Sequence, residues 1–113
     1  MSKNLDFCVL LDLYGGLISE RQYEAMDYYY NQDLSLAEIG EILSVSRQAV
    51  RNSIKNGEEN ILMYESRLGL YKKSERAKKK IETAAKKILR LNKELRSEEL
   101  KSLAEELIGI ELI

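Results

Sequence analysis

Arg47, Gln48, Arg51, Asn52 and Lys55 are the side chains whose types and spacing could do chemistry. At about 100° per residue they gather on one side of a helix. Ala49, Val50, Ser53, Ile54 and Gly57 gather on the other. Guanidinium and amide groups can donate to base edges, and an ammonium can hold a phosphate. A cationic, amide-bearing front on a small apolar back describes the recognition helix of a helix-turn-helix. The bland alternative stays open, since any amphipathic helix turns a polar face to water. The fold also serves as a protein-docking module.

A recognition helix needs a second helix behind it. The stretch from Ser35 to Asn56 supplies one. Ser35 can cap a first helix, with Glu38 completing a capping box. Leu36, Ile39, Ile42 and Leu43 give that helix an apolar face. Leu43-Ser44-Val45 forms the turn, and Ser46 caps the helix that begins at Arg47. Gly40 fits where two helices cross closely and leave little room for a Cβ. Ser44 stands where the turn calls for positive φ, which costs a serine on the order of 1 kcal/mol.

The segment LLDLYGGLISERQYEAMDYYYNQDLSLAEIGEILSVSRQAV resembles the YlxM-type family of small bacterial helix-turn-helix proteins. The joint occurrence of YGGLIS, YYYNQDLSLAEI and VSRQAV carries the resemblance, which covers about residues 4 to 72. More distantly it resembles region four of sigma-70 factors. The resemblance implies an all-helical DNA-binding fold without a wing. It also implies a regulatory role tied by gene neighbourhood to the signal recognition particle pathway. Arg51-Asn52 and Asn56 stand where the family usually has an aromatic–Asp pair and a basic residue, so no base preference carries over.

The chain has one cysteine and no histidine in 113 residues. Cys8 has no partner for an internal disulfide and sits among Leu5, Phe7, Val9 and Leu10, so it reads as core. Without histidine the commonest general base and metal ligand are missing. No Gly-rich phosphate loop or Cys pair appears. No enzyme, cofactor or metal site is expected. No run of 18 apolar residues suggests a membrane span. The N-terminus MSKNLDF lacks the apolar stretch of a signal peptide, so the expected compartment is the cytoplasm.

The elements around the motif follow from pattern. Leu5 to Tyr14 reads as a buried helix ended by a left-handed glycine at Gly15-Gly16. Ser19 and Gln22 form a second capping box, opening a helix from about Glu20 to Asn31. Tyr23, Met26, Tyr29 and Tyr30 mark its core face, with Tyr28 offset toward water. Val50, Ile54, Gly57, Ile61, Tyr64, Leu68 and Tyr71 keep heptad spacing, which favours one helix through Gly57 to about Tyr71. Lys72-Lys73-Ser74 marks a junction, with Ser74 a cap. A second seam follows at Ala77, Ile81, Ala84, Ile88, Leu91 and Leu95. Ser97 caps a last helix with a stripe of Leu100, Leu103, Ala104, Leu107 and Ile108, and the chain ends in Ile110, Leu112 and Ile113.

Charge is spread unevenly. Residues 1 to 71 carry a net −5, residues 72 to 101 a net +7, and residues 102 to 113 a net −3. Lys78, Lys79, Lys80, Lys86, Lys87, Arg90 and Lys93 form the strongest basic feature, either a solvated face or a surface for phosphates. The expected fold class is all-α. A helix-turn-helix domain like sigma region four fills residues 1–72, and a basic helical extension fills 73–113 as the dimerisation region. The expected partner is DNA. Arg47, Gln48, Arg51 and Asn52 would read bases, Lys55 would hold a phosphate, and Lys78, Lys79, Lys86 and Lys87 would add backbone contacts. The competing reading is a module that meets signal recognition particle RNA or protein. Net −5 over the first domain leans that way, because it opposes non-specific approach to DNA. The two seams also call for a homodimer, which would set two recognition helices at a fixed spacing.

Overall fold

Serine caps set the starts of four helices. Ser19, Ser35, Ser46 and Ser97 each accept a backbone N–H three residues on. At Ser19 and Ser35 the third residue's side chain, Gln22 or Glu38, bonds back to the serine N–H and closes the capping box. The computed structural model describes residues 6–112. Leu5 and Ile113, assigned above to the first helix and the last apolar stretch, lie outside the described residues. Within them the chain is all-α, with no strand: α1 (Asp6–Tyr14), α2 (Glu20–Met26), α3 (Leu36–Leu43), α4 (Arg47–Leu68), α5 (Leu70–Leu95) and α6 (Glu98–Ile108). A 3₁₀ turn, Gly15–Leu17, follows α1, and a π-helical turn, Asp27–Asn31, extends α2.

The chain divides into two compact units between Tyr71 and Lys72. The first is built on α4. Its inner side, Val50, Ile54 and Ile61, meets Phe7, Leu10, Leu11 and Tyr14 of α1, Ala25 and Met26 of α2, Tyr29 and Tyr30 of the π turn, and Ile39 of α3 in one core cluster. α4 runs unbroken through Gly57, where an added Cβ would stand 2.6 Å from the Met26 sulfur. Close approach of α2 offsets the ~1 kcal/mol that a mid-helix glycine costs. Cys8 is half-buried against this core, its thiol 3.6 Å from the Tyr30 carbonyl oxygen.

Several local expectations give way. Gly15 is not left-handed; it is buried under Tyr23, whose ring would lie 2.7 Å from an added Cβ. Tyr23 itself is partly exposed, while Tyr28 packs against the core. The π turn takes more residues per turn and so rotates everything after Met26. Gly40 is needed as expected, but its close neighbour is the Val45 carbonyl oxygen of the turn, 2.7 Å from an added Cβ, rather than the crossing helix. Ile42 and Leu68 are exposed, off the faces assigned to them. The helix beginning at Arg47 stops at Leu68, where Gly69 takes φ 62°. Ser74 does not open a helix; it lies inside α5.

In the second unit α5 and α6 are joined at Arg96 and Ser97. Arg96 adopts φ 50°. Asn92 holds the joint with two bonds. Its Nδ2 donates to the Ser97 carbonyl at 2.8 Å, and its Oδ1 accepts the Ser97 N–H at 2.7 Å. Ala85, Asn92 and Ala104 are buried, with Ile81, Ile88, Leu89, Leu100 and Leu107 half-buried. The covered stripe of α5 is therefore rotated from the expected seam. Ala84, Leu91 and Leu95 face solvent, the two leucines at 71% and 70% exposure. Leu103 and Ile108 of the expected α6 stripe are exposed too.

Candidate nucleic-acid interface

The turn between α3 and α4 fixes how the front of α4 is presented. Ser44 takes φ 57°, ψ 43°, and its N–H and that of Val45 close the end of α3 on Glu41 and Gly40. Ser46 then accepts the Ala49 N–H at 3.0 Å, so α4 starts squarely at Arg47. A shallow open depression lined by Ala37, Gly40, Glu41, Ser44 and Arg47 marks the joint. Glu41 and Arg47, of opposite charge, are both among its lining residues.

Arg47, Gln48, Arg51, Asn52 and Lys55 are all exposed. Val50, Ile54 and Gly57 behind them are buried, and Ala49 and Ser53 half-buried. Gln48 Nε2 donates to Asn52 Oδ1 at 3.2 Å. That bond aligns two amides one helical turn apart and restrains their rotamers before any ligand arrives. The arrangement offers two guanidinium forks, two coupled amides and one ammonium on a rigid helical end.

Polar contacts secure the far end of α4. Tyr14 donates its hydroxyl to Glu65 at 2.5 Å, and Tyr30 donates to Glu58. Tyr64 donates to the Leu17 carbonyl at 3.1 Å, and Asn60 to Gln22 Oε1 at 3.4 Å. Burial, then the bonded carboxylate, pushes both the Tyr14 and Tyr30 phenols above the ordinary tyrosine value. These tyrosines therefore stay neutral donors that lock α4 to α1 and the π turn. Tyr14, Tyr30 and Tyr64 all fall on faces expected to be covered, but the glutamate partners of Tyr14 and Tyr30 have no signal in the sequence, because no local pattern links residues 51 and 28 positions apart.

The other predicted residues, Lys78, Lys79, Lys86 and Lys87, lie exposed on α5 in the second unit. Lys79 and Lys87 share a shallow depression with Lys80 and Thr83, and Lys86 shares another with Arg90 and Lys93. Lys78 lines neither. Arg76 and Thr83, absent from the predicted set, fall on the Lys79 side at helical spacing. Among the described residues no group of His, Cys, Asp and Glu could hold a metal ion. No helix there is long and apolar enough to cross a membrane.

Capped α3, a left-handed Ser44 and an α4 split into buried and polar faces define a helix-turn-helix protein. Comparison with known proteins narrows the class. Residues 1–103 match the model of a family described as "UPF0122: Putative helix-turn-helix protein, YlxM / p13 like", and the chain belongs to that family. A UPF0122 protein of Acetivibrio thermocellus is 37% identical over 106 residues, 94% of this chain and 85% of the relative. One from Clostridium botulinum is 44% identical over 79 residues, 70% of this chain and 72% of its own length. Another from Clostridium kluyveri is 49% identical over 70 residues, covering 62% and 63%.

Proposed function

We propose that this protein is a non-enzymatic, DNA-binding regulator that reads a duplex with the N-terminal half of α4. Arg47, Gln48, Arg51 and Asn52 meet base edges in the major groove, and Lys55 meets a phosphate. One observation carries the reading: all five side chains are exposed on a helix whose opposite face is buried, with Gln48 and Asn52 already bonded to each other. Lys79, Lys86 and Lys87 of α5 add backbone contacts. The protein acts in the cytoplasm as a homodimer, which the exposed Leu91 and Leu95 support.

Selection of bound sequences from a random duplex library tests this. The wild-type chain is expected to enrich one motif, and the Arg47→Ala/Arg51→Ala double variant to enrich none. Enrichment of the same motif by both would remove α4 from the readout.

A second reading has one observation in its favour. Residues 1–71 carry net −5, which opposes non-specific approach to DNA. In that reading the protein modulates the signal recognition particle through its RNA or protein, without reading DNA. Enrichment of one RNA or protein from cells, with no motif from the duplex library, would favour it.

A further inference from the structure

We infer that Arg76, Lys79, Lys80, Lys86, Lys87 and Arg90 form a rail on α5 that grips the phosphate backbone of a nucleic-acid duplex without reading its bases. The inference deepens the nucleic-acid reading above but rests on a different helix. All six side chains are exposed, as is Thr83 among them. At about 100° per residue, all six lie within about 60° of the direction of Thr83. No carboxylate shares that arc between Arg76 and Arg90; Glu75 and Glu82 lie about 80° and 100° round the helix. Lys78, the neighbour of Lys79 in sequence, points about 140° away.

The rail's length suits a duplex. Fourteen residues separate Arg76 from Arg90, which is about 21 Å of helix. Duplex DNA presents about twelve phosphate charges over that length, of which about half lie on the side facing a straight rod. Six cations answer them. Base readout is a poor fit, because the rail carries no amide side chain. A single strand is a poor fit as well, because no aromatic residue follows Tyr71 to stack an unpaired base. What remains is a line of cations that recognises the phosphodiester backbone. Such a surface gives affinity, strong salt dependence and no sequence preference.

The test uses the intact chain and four probes: a random-sequence DNA duplex, an RNA duplex of equal length, the DNA single strand, and phosphatidylserine–phosphatidylcholine vesicles. The readout is the slope of log affinity against log salt. The six rail contacts contribute about −5 to the duplex slope, to which a phosphate contact from Lys55 adds about −1. Lys79→Ala with Lys87→Ala should shrink that slope by about 2. Lys78→Ala with Lys101→Ala removes the same charge off the rail and should shrink it by less than 1. Either duplex binding tighter supports the rail and names the source. Equal losses in the two double variants, no loss on the rail, or tighter binding to vesicles or single strand would overturn it. Failure of the α4 reading shows elsewhere, as the lack of any preferred sequence while the rail's slope persists.

Discussion

Tyr14 and Glu65, fifty-one residues apart, meet through a hydroxyl-to-carboxylate bond of 2.5 Å. The pair does more than join α1 to α4. Tyr14 Oη also accepts the Leu70 N–H at 3.3 Å, and Glu65 Oε1 accepts the Tyr71 N–H at 3.0 Å. These are the first amides of α5, which has only Gly69 before it and no side-chain cap of the usual kind. Two side chains of the helix-turn-helix unit thus supply the cap.

Tyr14→Phe keeps the ring, stacked with Tyr64 at 6.3 Å, and removes only the hydroxyl. The expected loss is about 1–3 kcal/mol, since a half-buried carboxylate and an amide each lose a partner. A lower denaturant midpoint with an unchanged slope checks it. The pH dependence follows from the raised pKa values of Tyr14 and Tyr30. The folded state holds the phenolic protons more tightly than the unfolded chain. Their stabilisation is therefore whole below about pH 10 and is lost as pH climbs toward the folded values. Midpoints measured between about pH 9 and pH 11 should fall in wild type. They should fall less in a Tyr14→Phe/Tyr30→Phe variant.

Gly40 and Ser44 make opposite predictions from one turn. Gly40→Ala sets a Cβ 2.7 Å from the Val45 carbonyl oxygen, a backbone atom with little freedom to yield. It should cost about 1–3 kcal/mol. Ser44→Gly relieves a left-handed serine at φ 57° and should stabilise by up to about 1 kcal/mol. Gly16→Ala, with nothing within 4 Å of the added carbon, serves as the control. Thermal melts that rank the three otherwise would overturn this account of the turn.

What sequence reasoning could see was local. The capping serines announce themselves within three residues, so the starts of α2, α3, α4 and α6 were legible. The split of α4 was legible for the same reason, because a helical period needs only its own residues. The end of α4 was not. Lys72-Lys73-Ser74 looks like a junction, but the amides of Leu70 and Tyr71 are satisfied by Tyr14 and Glu65. That information lies across the fold. The rotated stripe of α5 has a similar cause. Ala84 and Ala85 are adjacent and alike, so hydropathy cannot tell which is covered; the buried one, Ala85, shares its face with Asn92, which bonds to Ser97. At the candidate interface the phase of α4 could be read, whereas Arg76 and Thr83 drop out of a search for runs of lysine.

In the proposed reading Arg51 and Lys55 make two different kinds of contact from α4. Arg51→Ala should cost about 1–3 kcal/mol on a preferred duplex and relax preference at one position. Lys55→Ala should weaken all duplexes alike and shrink the salt slope by about 1. Titrations of matched and scrambled duplexes at two salt concentrations tell these apart. Identical behaviour of the two variants would mean that both residues see phosphate alone. Val50→Asp serves as a fold control: it puts an unpaired charge at a 1% exposed site and should unfold the domain.

The leucines at Leu91 and Leu95 make the case for pairing with a second copy. Among the described residues of the second unit they are the most exposed large apolar side chains, and Leu103 adds another in α6. A seam at Ala84, Leu91 and Leu95 keeps the 7- and 4-residue steps that helix pairing uses. Charge is arranged to suit a second copy as well, since residues 72 to 101 carry net +7 and residues 102 to 113 net −3. The intact chain should therefore sediment as a dimer at tens of micromolar. Leu91→Ser with Leu95→Ser removes four leucines from a two-fold interface. At about 1.5 kcal/mol each this weakens association by about four decades. The variant should run as a monomer with its helical content unchanged, because neither side chain supports the fold of its own unit. A wild-type chain that stays monomeric would end the proposal. A double-serine variant that still dimerises would move the interface to another face.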